Sequence, residues 1–261
     1  MDETVEAGMS TSNLLSTTWR LWYSRAGMFF LIMGIPIAAL GILSVIVVYV
    51  ISPHAQVMPL REVYEKMGIL QKLSVVVVFL ASFGMQYHAL AASAFATQEI
   101  WQGRSVSMWQ AIRSVRRKQL RLFWMVMLVC MITGPLGLVA FPFLAFATAP
   151  GFPVAILENR PALAAIKRGN SLGKGRQGRI AVLVALWLGL GGAAVVGLVS
   201  ILSLIETLYG RPWFLRPLPL VGLWFIMLIP QLYMIALTLN YLDQRKYKSG
   251  MGSASSNSVE G

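Results

Sequence analysis

The chain has 261 residues, 57% of them hydrophobic and only 12% charged, with a mean hydropathy of +0.67. A soluble domain is about 45–50% apolar and about 25% charged, so too little polar residue is present to coat a soluble globule, and disordered, collagen-like and disulfide-stapled classes are excluded as well. The formal charge of +12 would point to nucleic acid in a soluble protein; in an integral membrane protein it poses the question of which face carries it, and no nucleic-acid partner is expected.

Residues 1–12 read as a disordered N-terminus. Asp2, Glu3 and Glu6 stand where a secretory signal would be basic. The first apolar stretch, 28–51, exceeds the roughly 7–15 residues of a signal core, so it is expected to remain as a membrane span. A helix needs about 20 apolar residues to cross the hydrocarbon core. The second span is expected at 73–97. The stretch 122–157 carries no charge at all, is too long for one crossing, and suits a tight hairpin of 122–140 and 143–157. Gly134, Pro135, Gly137 and Pro142 offer the turn, and Pro150 and Pro153 make the returning arm irregular. The fifth span is expected at 180–204 and the sixth at 218–242, while 249–261, rich in Ser and Gly, reads as a disordered tail. The fold class is therefore an all-α integral membrane protein with six transmembrane helices in a membrane domain at 13–248.

Charge placement orients that arrangement. With six spans, seventeen cations fall on the side of the termini and five on the other. The rich side holds Arg104, Arg113, Arg116, Arg117, Lys118 and Arg121 in one loop and Arg160, Lys167, Arg168, Lys174, Arg176 and Arg179 in another. The positive-inside rule puts both termini in the cytoplasm, with the cytoplasmic membrane as the location. Each pair of spans follows a short amphipathic segment, at 13–25, 105–121 and 161–172. In the second, Met108, Trp109, Ile112 and Val115 recur every three to four residues. Three repeats of surface helix plus membrane hairpin are the expected plan.

Little in the chain has the pattern of reaction chemistry. Cys130 is the sole cysteine and lies in an apolar run, so neither an intramolecular disulfide nor a cysteine zinc site is expected. His54 and His88 are the only histidines; His88 falls in the second span without a neighbouring acid. No catalytic residue, metal or cofactor is expected. Gly169-Asn-Ser-Leu-Gly-Lys174-Gly misses the spacing and strand context of a phosphate loop; it reads as a helix end followed by a basic loop whose cations meet lipid phosphates or set topology. Gly189, Ala193 and Gly197 form a small-residue stripe suited to close helix packing.

The acids that matter follow spans: Glu99, Glu158 and Asp243. A carboxylate at a helix C-terminus opposes the dipole and calls for a cation. An interfacial charge network of Glu158, Arg168, Arg179, Asp243 and Arg245 is expected, with Arg245 on Glu158 and Arg168 or Arg179 on Asp243. Candidate headgroup contacts are Arg113, Arg117, Lys174, Arg176 and Arg179.

The segment Pro153-Val-Ala-Ile-Leu-Glu158, continued by Arg160-Pro-Ala-Leu-Ala-Ala-Ile-Lys-Arg168, together with the closing Tyr241-Leu-Asp243-Gln-Arg245 and the opening Leu14-Leu-Ser-Thr-Thr-Trp-Arg20, resembles the membrane domain of bacterial glycerophosphoryl diester phosphodiesterases and of related stand-alone six-span bacterial membrane proteins. Lys167-Arg168-Gly169 departs from the Arg-Ser usual there. In that family hydrolysis belongs to a separate soluble barrel with His, Glu and Asp, which nothing here matches, so the resemblance implies no phosphodiesterase activity.

The expected function is therefore non-enzymatic: binding or organising anionic phospholipid, or a protein partner or second copy, at a basic cytoplasmic face. The alternatives are a small-solute transporter or channel, which would want ionisable groups at mid-membrane depth, and a membrane-embedded enzyme, which would want clustered Asp, His and Glu. Topology is directly testable. Cysteines introduced at Met58 or Arg211 should be labelled by an impermeant reagent from outside intact cells, and one at Ser107 should not; the reverse pattern overturns the orientation.

Overall fold

The computed structural model describes residues 9–46, 68–116, 118, 124, 146–175, 177–209 and 229–246, and within them every regular element is a helix. In chain order these are α1 (Thr11–Ser24), α2 (Ala26–Ile46), α3 (Ile69–Trp101), α4 (Met108–Val115), α5 (Gly151–Leu157), α6 (Ala162–Gly173) and α7 (Gln177–Tyr209), followed by α8 at 229–246. One of them, α7, is long and apolar enough over Gln177–Ile201 to cross a membrane. The expected segment 122–140 with Cys130, the loops at Met58 and Arg211, His54, and the tail 249–261 lie outside the described residues, Trp124 excepted.

Local sequence explains the short helices. Ser10 caps α1, its hydroxyl accepting from the Asn13 N–H at 3.2 Å. Leu14, Thr18 and Leu21 then form a buried stripe at a spacing of three to four. Only Arg25 separates α1 from α2. At α4, Ser107 and Gln110 form a reciprocal capping box. Ala111 and Val115 are buried there with Met108 and Ile112 half-buried, but Trp109 is 66% exposed. The inner face is thus 108, 111, 112 and 115, and Trp109, expected on it, lies outside that arc.

The second half of α3 is the centre of the packing. Ala89, Leu90, Ala91, Ala92, Ser93, Ala94, Ala96 and Thr97 are all buried, with no polar face left. Small side chains over two turns let α2, α4 and α5 pack against it. The expected stripe on α7 does not do this: a Cβ built on Gly189, Gly191, Gly192 or Gly197 would meet nothing within 4 Å. Close packing by small residues belongs to α3, and α7 instead leaves Val182, Leu186, Leu190, Val196 and Val199 exposed. Trp187 of α7 stacks on Tyr233 of α8 with centroids 4.9 Å apart. Gln231, fully buried on α8, ties three helices: its Nε2 donates to the Phe29 carbonyl of α2 at 2.7 Å and to the Ser93 hydroxyl of α3 at 3.0 Å. His88 is half-buried on α3.

The α5–α6 pair turns on two glycines. α5 starts after Pro150, so the irregularity expected of the proline-containing arm falls there. A Cβ at Gly169 would run into the Pro150 carbonyl and lie 2.7 Å from the Gly151 nitrogen, while one at Gly151 would lie 2.9 Å from the Ile166 Cα. The helix therefore continues through Gly169 and stops at Gly173, and Gly175 takes φ +90 just beyond. Gly169→Ala should lower stability by about 1–3 kcal/mol through overpacking, read as a loss of thermal midpoint in detergent. Gly178→Ala, where a Cβ meets open space, should be neutral or gain up to about 1 kcal/mol. Equal effects at both positions would contradict the packing.

Candidate functional site

Helix ends of both directions gather at one end of the bundle. The start of α7 and the ends of α5 and α8 meet there, joined by the chain just before α1 and by α6 packed on α5. Two charge centres organise it.

The first joins α7 to α8. Arg179 Nη1 donates to Asp243 Oδ2 at 2.8 Å and to Asn240 Oδ1 at 3.4 Å, while Nη2 donates to the Met9 carbonyl. The Met9 N–H in turn donates to Asp243 Oδ1 at 3.1 Å. The two charged side chains are only 10% and 13% exposed. A buried pair is tolerable only when further hydrogen bonds satisfy its remaining atoms. Here a side-chain amide and both polar groups of one peptide residue do so. Arg179 is thereby spent, and its expected role as a headgroup contact is replaced by a structural one.

The second centre is at the α5–α6 corner. Glu158 caps the C-terminus of α5, and Asn159 follows with φ 57, a left-handed conformation that asparagine tolerates better than most residues. This turn brings Arg160 back onto Glu158, Nε to Oε2 at 2.8 Å. Arg168 reaches back along α6, Nε to Oε1 at 3.7 Å, and the Tyr241 hydroxyl of α8 donates to Oε1 at 2.9 Å. Arg245 follows one turn after Tyr241 on α8 and is exposed, and the carboxylate is held by Arg160, Arg168 and Tyr241 rather than by the expected Arg245. From α8 it is the Tyr241 hydroxyl that reaches the carboxylate. Glu158 nonetheless connects α5, α6 and α8.

Arg113 and Lys174 are exposed; Arg117 and Arg176 lie outside the described residues. Glu99 pairs with Arg104 at 2.9 Å just beyond α3. Tyr241, Met9 and Asn240 were not among the expected network members. Tyr241 stands in the quoted closing motif, but its spacing from Glu158 in the chain carries no signal. Met9 contributes only backbone, which no side-chain pattern can announce. Among the described residues no three His, Cys, Asp or Glu side chains group to hold a metal. Comparison with family models, curated proteins and solved structures finds no match.

Burial alone would raise the Glu158 pKa, but the Tyr241 hydrogen bond and the Arg160 and Arg168 charges outweigh it and hold the carboxyl below its ordinary 4.5. A depressed folded value means that the carboxylate's contribution is fully present above the unfolded pKa and is lost as pH falls through the folded one. Stability should therefore decline from about pH 4.5 downward. Glu158→Gln should flatten that part of the curve, measured as thermal midpoint against pH; an unchanged slope would remove Glu158 from the linkage.

Proposed function

We propose that this is a non-enzymatic bacterial inner-membrane protein of six spans, both termini cytoplasmic, that binds or organises anionic phospholipid at its basic end. The observation that carries the reading is the pairing of exposed cations with exposed aromatic and aliphatic side chains on the three short helices at that end. α1 presents Trp19 and Tyr23 beside Arg20, α4 presents Trp109 with Arg113, and α6 presents Leu163 with Lys167 and Arg168. Interfacial helices have this composition: rings and aliphatic chains at the headgroup boundary, cations on the lipid phosphates. The exposed apolar surface of α7 fits acyl chains. The resemblance to the phosphodiesterase membrane domain supports the same reading on its quoted motifs.

A small-solute transporter is the second reading. Its support is the buried polar set of Ser93 and Thr97 on α3 with Gln231 and Thr238 on α8. The Thr97 and Thr238 hydroxyls are bonded back to their own helices, which favours the lipid reading.

The test is lipid retention. Purified protein should keep phosphatidylglycerol over phosphatidylcholine, and added salt should erode the preference. Each cation near an anionic leaflet is worth about 1 kcal/mol, so changing Arg113, Lys174 and Arg176 together to Gln should cost roughly 3 kcal/mol, about a hundredfold in affinity. Equal retention of the two lipids by the native protein rejects the function.

A further inference from the structure

We propose that the α5–α6 corner is a binding site for a phosphate group, formed by the guanidiniums of Arg160, Arg168 and Arg245 around the Glu158–Tyr241 node. The inference deepens the lipid reading by naming where a headgroup phosphate sits, and it also stands without it, because a free phosphate has the same chemistry.

Arg160 and Arg168 both address Glu158 through Nε, which leaves the terminal nitrogens of each fork for another acceptor. Those forks are half in solvent, at 49% and 44% exposure, whereas Glu158 is 15% exposed. The carboxylate lies beneath them and cannot engage their outer edges. Arg245, exposed on α8 one helical turn after Tyr241, adds a third guanidinium on the same side of that helix. Three cations against one carboxylate leave a surplus of two positive charges. A phosphate monoester carries about −1.5 to −2, and a phosphodiester somewhat less.

The other charged groups at this end are matched differently. Arg104 has Glu99 to itself, and Arg179 is enclosed by Asp243, Asn240 and Met9. Arginine forks match phosphate oxygens in pairs, which an ammonium does not. α6, twelve residues long, begins two residues after Arg160 with Pro161 as its N-cap and no side-chain cap, so its first-turn amides add the positive end of a helix dipole to the corner. Glu158 and Tyr241 position the guanidiniums; they do not contact the anion.

Binding is measured on the full chain with two probes: inorganic phosphate in neutral detergent at an ionic strength matched with chloride, and vesicles of phosphatidylcholine with or without phosphatidylglycerol. Arg168→Gln and Arg245→Gln should each weaken binding at least about tenfold, or 1.4 kcal/mol. Arg25→Gln, which removes the same charge from an exposed position between α1 and α2, outside both the corner and the lipid-facing set, should change it less than about twofold. Arg168→Lys, which keeps the charge and loses the fork, should recover only part of the loss. Arg245 is outside the Glu158 ion pairs, so Arg245→Gln keeps the test open if Arg168→Gln does not fold. Loss with both probes supports the site for phosphate in general. Loss confined to phosphatidylglycerol supports it with lipid as the source, and loss confined to inorganic phosphate supports it with a soluble phosphate. Identical behaviour of Arg168→Gln, Arg245→Gln and Arg25→Gln with both probes overturns it. If the native protein still prefers phosphatidylglycerol in that event, the lipid function survives while this site falls. If the native protein shows no lipid preference but its phosphate binding depends on Arg168, the reverse holds.

Discussion

The Arg179–Asp243 pair is the interaction on which the rest of the charged end depends. Arg179 sits in the first turn of α7 and Asp243 in the last turn of α8, so each is on the unfavourable end of its own helix dipole. Brought together at 2.8 Å, each lies beside the favourable end of the other's helix. Two local penalties become one cross-helix attraction, and it is available only when the start of α7 meets the end of α8. The pair therefore sets the register of those helices as well as joining them. Its spare valences then fix α1, because Met9 offers a donor and an acceptor one residue before the Ser10 cap. Breaking one partner of a buried pair costs about 3–5 kcal/mol, since the other charge remains uncompensated; here it would also release the start of α1.

Glu158 works on the same logic with a different outcome. It too faces the wrong end of a dipole, at the C-cap of α5, but its partners are half-exposed arginines and a tyrosine. An ion pair open to water is worth little in stability, about 0–1 kcal/mol. What the arrangement fixes is direction: two guanidiniums are held with one edge on the carboxylate and the other toward solvent. The glycine contact beneath makes this possible. With Gly169 against Pro150 and Gly151, α6 lies close enough to α5 for Arg168 to reach back to Glu158. A larger residue at 169 would push the guanidinium away from its carboxylate.

Much of this was legible in the chain. The helical class, the short amphipathic segments and the placement of Glu158 and Asp243 at helix ends follow from periodicity and from runs without charge. The need for cationic partners followed from the dipole argument. What was not legible is pairing. Arg160, Arg168, Arg179 and Arg245 are chemically alike, and Arg179 stands 64 residues from the acid it meets, so only packing could assign them. The α8 partner of Glu158 is the Tyr241 hydroxyl rather than a cation, a neutral donor that an argument from charge alone does not find. The small-residue stripe misled for a related reason. Gly189, Ala193 and Gly197 have the right spacing, but spacing does not say whether a neighbour is present. The alanine-rich run of α3 has the neighbours and no conspicuous glycine.

The same distinction bears on how a positive face should be read. Cation counting treats every Lys and Arg on one side of a membrane as equivalent, because insertion responds to charge near the ends of spans. After folding they divide by what satisfies them. Arg179 is enclosed and contributes to packing. Arg104 is cancelled by Glu99. Arg113, Lys174 and Arg245 are exposed, whereas Arg160 and Arg168 are half in solvent and paired with Glu158 through their inner edge. A mobile cation must give up side-chain entropy, up to about 2 kcal/mol, when it binds. A guanidinium already pinned through Nε has lost much of that freedom in the folded state. For an equal Coulomb attraction the anchored group therefore retains more of the binding free energy. That is why the α5–α6 corner, rather than the more exposed cations around it, is where a phosphate should settle.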